Sequence, residues 1–346
     1  MHNPIAAAQH RRPGISLALQ GGGSLGAFTW GVLDALLEAE VVINAASGAS
    51  AGAINAVVLA QGLMEDGPEG ARAALERFWR RVSNASPLSG APAGRAALAA
   101  LQASPYLLSS VQLSPAQANP LRIDPLGDIL NDEIDFEGLR RHSPVDLLVS
   151  TTRVSDGRAR IFRTEELSLE VVLASACLPL LRHSVEIDGE WYWDGGYSAN
   201  PPLRELVWAT NDRDVLLIEL PAPTSEARPR LTREIERRVH EIALTAAFHR
   251  ELDAVGDLVE AGRSGGRPGA VLRFPGAGRP SKVRLHRISA REALEDVPST
   301  HALDIGWDVL TRYRDSGAEA GRAWLAGQRL PAGTAVAARR RPRPAE

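Results

Sequence analysis

The sequence predicts an α/β fold on a mostly parallel sheet, and three patterns point to it. Two strand–glycine turn–helix units follow one another within the first 65 residues, an order that sets parallel strands side by side with helices across them. Two later runs, Asp146 to Ser150 and Val215 to Leu220, have the length and apolar character of strands buried on both faces. Beyond Leu231, apolar residues recur at helical spacing, which predicts a helical C-terminal extension.

The elements follow in order. Ile15 to Leu19 reads as a strand entering Gly21-Gly22-Gly23, with a helix from Leu25 to Ala39. Val41 to Ala45 is a second strand; after Gly48-Ala49-Ser50-Ala51-Gly52 a helix runs from Ala53 to Leu63. Residues 83–125 are rich in proline, serine, glycine and alanine around Tyr106-Leu107-Leu108, and read either as a lid or as a surface insertion. Asp146 to Ser150 pairs with Ala159 to Arg163 through a turn at Asp156-Gly157. A short helix, Leu169 to Cys177, stops before Pro179; a hairpin, Glu186 to Trp193, turns at Asp188-Gly189 and delivers Asp194-Gly195-Gly196. Ile235, Val239, Ile242 and Ala246, then Leu252, Val255 and Val259, keep a helical period, as does Ala302 to Leu325 with Trp307, Leu310 and Trp324.

Composition narrows the chemistry. The 346-residue chain has one cysteine, eight histidines, 44% hydrophobic residues and a formal net charge of −3. A lone Cys177 excludes a disulfide scaffold and a cysteine-based zinc cluster, fits a reducing compartment, and is read as packing. Lys282 is the sole lysine, so a lysine base has one candidate. The near-neutral balance gives no reason to expect nucleic acid, and no metal or cofactor is expected. Met1 to Pro13 has no apolar stretch of the signal-peptide kind, and no run approaches the ~18 apolar residues of a membrane span. A cytoplasmic chain with at most peripheral membrane contact is the expectation.

Gly48-Ala49-Ser50-Ala51-Gly52 matches G-x-S-x-G between a strand and a helix, the context in which a serine is presented on a tight turn. Small flanking residues are needed there because bulk would strike neighbouring backbone. Gly21-Gly22-Gly23-Ser24-Leu25-Gly26 would supply unpaired N–H groups for an oxyanion. The same letters satisfy G-x-G-x-x-G, but a dinucleotide site wants an acidic residue about 20 positions on. Asn44, Ala45 and Ala46 stand there instead, and Glu38 and Glu40 fall too early. The base is a choice between two arrangements. Asp194, between a strand and two glycines, would approach the serine closely and act directly if desolvation raised its pKa; an ordinary turn is the alternative. A Ser–Asp–His order would need His240, His249, His286 or His301, none of which lies in a motif built to hold it.

Taken together these blocks resemble the patatin-like phospholipase family. The glycine run resembles its oxyanion loop, Gly48 to Gly52 its nucleophile elbow, Asp194-Gly195-Gly196 its D-G-G/A motif, and Ala174-Ser175-Ala176-Cys177-Leu178-Pro179 its A-S-x-x-x-P segment. The resemblance covers Ile15 to Leu206. It implies a three-layer α/β/α sheet and a lipid or other acyl-ester hydrolase. Ser50 would be the nucleophile and Asp194 the base, with an oxyanion site from Gly21, Gly22, Gly23, Ser24 and Ala51, supported by Gly26, Gly48, Gly52, Gly195 and Gly196. A non-catalytic lipid- or partner-binding protein on the same scaffold is the alternative. Leu25 stands where many relatives carry a basic residue, which weakens the case for a phospholipid in particular. The expected organisation is a leader at 1–13, a catalytic domain at 14–222, a mainly helical extension at 223–330 and a disordered basic tail at 331–346.

Overall fold

The computed structural model describes residues 14–85, 124–179, 181–210, 212–220, 228–263, 283–294 and 304–327. The leader, nearly all of the 83–125 stretch, His301, Lys282 and the basic tail lie outside the described residues.

One sheet organises the molecule. Its strands are β1 (Ile15–Leu19), β2 (Ile43–Gly48), β3 (Asp146–Arg153), β4 (Ala159–Arg163), β5 (Val185–Ile187), β6 (Glu190–Asp194), β7 (Asp214–Glu219) and β8 (Arg284–Ser289). Hydrogen-bonded neighbours run β5-β6-β3-β2-β1-β7-β8, with β4 also on β3. The pairs β1–β2, β1–β7, β2–β3 and β7–β8 are parallel. β4 and β6 both lie antiparallel to β3, and β5 to β6.

Strand alternation divides the core into two layers. Leu17, Leu19, Leu147, Val149, Leu216 and Ile218 face one side, against helices α1 (Gly26–Glu38), α2 (Ala51–Asn84), α5 (Leu169–Ser175) and α8 (Trp307–Gly327). On the other side, Ala18, Ala45, Leu148, Val215 and Leu217 pack against α6 (Leu203–Ala209) and α7 (Thr232–Arg263). The three-layer expectation holds.

Several elements differ from the sequence reading. β2 runs on to Gly48, so the strand leads directly into the serine turn. α2 does not stop at Leu63: it bends at Asp66 and Gly67, and a second arm from Pro68 buries Leu75, Phe78 and Trp79. Two helices went unread, α3 (Pro125–Glu133) and α4 (Phe136–His142). Each carries a local signal, because Asp124 and Asp135 cap them by accepting from the N–H groups of Gly127 (3.1 Å) and Gly138 (2.8 Å). The α7 period was legible but not its buried side. Ile235, Val239 and Ile242 stand 46%, 60% and 48% exposed, while Ala247, Phe248 and Val255 enter the core.

The mainly helical C-terminal region also supplies the edge strand β8, which the sequence reading did not anticipate. Its helix α8 meets α1 nearly backbone to backbone. A Cβ on Gly31 would fall 1.9 Å from the Arg314 carbonyl oxygen, and one on Gly317 would fall 2.0 Å from that of Phe28. Tyr313 and Leu310 are buried beneath this crossing, and the rings of Trp30 and Trp307 lie 5.9 Å apart. Among the described residues no helix is long and apolar enough to cross a membrane.

Register brings two distant segments together. β4 pairs with Leu148 to Thr152 along one edge of β3. Its other edge is shared: Asp146 to Val149 pair with β2, and Thr151 to Arg153 pair with β6. β2 ends at Gly48 opposite Val149, and β6, running the other way, ends at Asp194 opposite Thr151. The two strand ends therefore meet head-on, about 7 Å apart along β3 at ~3.3 Å per residue.

Candidate active site

Ser50 sits at the junction of β2 and α2 with φ 52° and ψ −126°. A non-glycine residue in that region stores about 1–3 kcal/mol and persists only where its surroundings fix it. Here they do. A Cβ on Gly52 would come within 2.1 Å of the Leu19 carbonyl oxygen, and one on Gly48 would fall 2.5 Å from the Ala53 nitrogen, so the turn is closed to larger residues at both ends. The Ser50 N–H donates to Ser175 Oγ at 3.0 Å. Ser50 itself stays partly exposed at the head of α2, where the Gly52 and Ala53 N–H groups already donate to the Ala49 carbonyl (2.8 and 3.3 Å) and the Ala51 N–H makes no hydrogen bond among the described residues.

Asp194 is 2% exposed at the end of β6. Its Oδ1 accepts from Gly196 N–H at 2.7 Å; its Oδ2 is buried without a hydrogen-bond partner among the described residues. Burial pushes the carboxyl up to about 7, opposed by the Gly196 amide and by the Ser50 hydroxyl. The Ser50 hydroxyl is thus close enough to favour the charged carboxylate yet stands outside a formed hydrogen bond, a looseness common in unliganded sites. The backbone around Asp194 is tightly held. Its N–H donates to the Cys177 carbonyl (2.9 Å), and its carbonyl accepts from Thr152 Oγ1 (2.7 Å). A Cβ on Gly195 would fall 2.3 Å from both oxygens of Ser150, which explains the glycine after the aspartate.

The glycine run forms a one-turn 3-10 helix, Gly23–Leu25, ahead of α1. Of the residues expected to face an oxyanion, Gly21 is otherwise engaged, because its N–H donates to Asn200 Oδ1 at 2.7 Å. Ser24 is buried in the turn. The amides of Gly22, Gly23 and Ala51 make no hydrogen bond to protein among the described residues, and Gly23 takes φ +60°. Buried Asn55 braces the loop from below, donating to the Gly26 carbonyl (2.9 Å) and accepting from Trp79 Nε1 (3.1 Å). Leu25 packs against the core and brings no charge to the loop.

No histidine among the described residues is hydrogen-bonded to Asp194. His240, on α7, pairs with the Tyr197 hydroxyl (3.1 Å), and burial holds its pKa below the ordinary value. His286 pairs with Asp214 (2.7 Å) at the start of β7, the end of the sheet away from the glycine loop. His249 is exposed beside Phe248. Cys177 donates its thiol to the His183 carbonyl (2.9 Å), and burial raises it to about 12, in keeping with a packing role.

Ser175 and Asn200 were missed as site residues. Ser175 lay within a recognised block without a role, whereas Asn200 carried no signal in the sequence. Their partners lie 125 and 179 residues away.

A family model described as patatin-like phospholipase matches residues 17–207. Among solved structures, the chain is similar to VipD from Legionella pneumophila at 16% identity and TM-score 0.37, covering 88% of this chain and 67% of that one. It is also similar to the ExoU–SpcU complex of the Pseudomonas aeruginosa type III secretion system, at 17% identity and TM-score 0.32, covering 91% of this chain and 60% of that one. The chain thus spans less than two thirds of that second relative. No curated protein matches it.

Proposed function

Because the chain belongs to the patatin-like phospholipase family, we propose that it hydrolyses acyl esters of lipids through a Ser50–Asp194 dyad. The observation that carries this reading is the buried Asp194 carboxylate: one oxygen is committed to Gly196, the other has no hydrogen-bond partner among the described residues, and the Ser50 hydroxyl is near enough to favour the charged form. A carboxyl held near 7 is a competent base at neutral pH, where an ordinary aspartate is too weak.

Asp194 Oδ2 takes the proton of Ser50 Oγ as the oxygen attacks the ester carbonyl. The oxyanion forms against the N–H groups of Gly22, Gly23 and Ala51, and the dipole of α2 adds to their field. Collapse expels the alcohol, which takes the proton from Asp194. Water then attacks the acyl-enzyme with its proton passing to Asp194, and the released Ser50 oxygen is reprotonated from it. Gly21 serves this site through its bond to Asn200 and not as an oxyanion donor.

The test pairs a fluorophosphonate probe with a panel of nitrophenyl esters and of phospholipid and lysophospholipid vesicles. Labelling at Ser50, with near-background hydrolysis by Ser50→Ala and Asp194→Ala, is the expected result. An Asp194→Ala protein that keeps most activity while His240→Ala or His249→Ala loses it would replace the dyad with a triad. Turnover of short soluble esters alone would remove the lipid substrate.

A further inference from the structure

The block Ala174 to Pro179 takes no part in the chemistry above, yet it touches both reacting residues. α5 ends at Ser175, and the chain then turns beneath the site. Ser175 Oγ accepts the Ser50 N–H at 3.0 Å, and two residues on the Cys177 carbonyl accepts the Asp194 N–H at 2.9 Å. Ser175 and Cys177 are each 0% exposed, so both accepting groups are fixed within the core. The turn is anchored on its far side as well, through the Cys177 thiol on the His183 carbonyl.

We propose that the Ser175–Cys177 turn is a positioning clamp that sets the nucleophile and its base at a working separation. The inference rests on the dyad reading. Ser50 needs such a clamp because its backbone lies in a disfavoured region that only external contacts maintain. The peptide between Ala49 and Ser50 fixes where Oγ points, and the hydrogen bond to Ser175 is the side-chain contact on that peptide. Asp194 is held to the same turn through main chain alone, so Ser175 is the handle that mutation can reach. With the grip released, Ser50 would relax away from Asp194 Oδ2, and a misplacement of ~1 Å costs up to about 100-fold in turnover.

The experiment uses the full chain, a nitrophenyl ester, and amide hydrogen exchange at Ser50. Ser175→Ala should lower kcat about 10- to 100-fold at unchanged KM. Its acid limb should move to higher pH, because the Ser50 hydroxyl no longer favours the charged carboxylate. Its Ser50 amide should exchange faster. Ser175→Thr, which keeps the accepting hydroxyl, should recover most of the turnover and the slow exchange. A Ser175→Ala protein with wild-type kcat, acid limb and Ser50 exchange overturns the clamp. If that variant fails to fold, Ser175→Cys, nearly equal in volume and a weaker acceptor, takes its place under the same two readings. Should the wild type hydrolyse no ester, the dyad reading falls, while the exchange measurement still decides for or against the clamp.

Discussion

Replacing Asp194 by asparagine should abolish turnover and at the same time strengthen the fold. Burial raises this carboxyl from 3.8 to about 7. At 1.36 kcal/mol per pH unit, holding it ionised inside the protein costs about 4 kcal/mol above pH 7. Between pH ~4 and ~7 the folded chain keeps a proton that the unfolded chain has released, so wild-type stability falls as pH rises through that window and is level above it. Asparagine carries no charge at any of these pH values. Its oxygen can still accept from Gly196, and its amide group takes the place of the unpartnered Oδ2. The variant's advantage should therefore be near zero below pH 4 and greatest above pH 7. With an unfolding entropy of ~2 cal/mol/K per residue, 4 kcal/mol over 346 residues is about 6 °C in Tm. Differential scanning calorimetry of both proteins at pH 5 and pH 8.5 reads this directly. A variant no more stable than wild type at pH 8.5, or a difference that ignores pH, would refute the reasoning.

The same carboxyl sets the pH dependence of catalysis: kcat/KM for a short ester should rise with pH through one ionisation near 7, and a profile flat down to pH 5 contradicts Asp194 as base. Asn200→Ala should lower kcat about 10-fold with little change in Tm, because the glycine loop loses the bond at Gly21 and its remaining amides lose their aim; steady-state kinetics beside a melting curve checks it. Gly317→Ala forces α8 away from α1 and should cost at least about 2 kcal/mol by urea denaturation without altering KM.

What the sequence disclosed follows from the range of each interaction. Ser50 and Asp194 announce themselves locally, each with the small neighbours that its turn demands. The inner parallel strands β1, β3 and β7 were equally plain, since burial on both faces leaves a continuous apolar run. β8 was missed because Arg284, His286 and Arg287 break that run on a strand that, among the described residues, is paired on one edge only. The α7 spacing established a helix, but periodicity does not say which side turns inward, and Ile235, Val239 and Ile242 face out. Ser175 and Asn200 act on backbone amides far away in the chain, and no local pattern encodes such a partner. The commitment of Gly21 to Asn200 was hidden for the same reason.

The shared edge of β3 has a consequence for how this site can change. Since β2 and β6 abut along one strand, a change of register moves Asp194 relative to Ser50 only in whole residues. A one-residue slip of β6 would carry Asp194 ~3.3 Å along the strand and turn its side chain to the opposite face of the sheet. Register offers coarse steps alone, and finer adjustment falls to the turns at Ser50 and at Ser175 to Cys177. Loops that leave these strands and the Ser175 to Cys177 turn in place can change in length, so the surrounding chain is free to reshape what reaches the site while Ser50 and Asp194 stay in step.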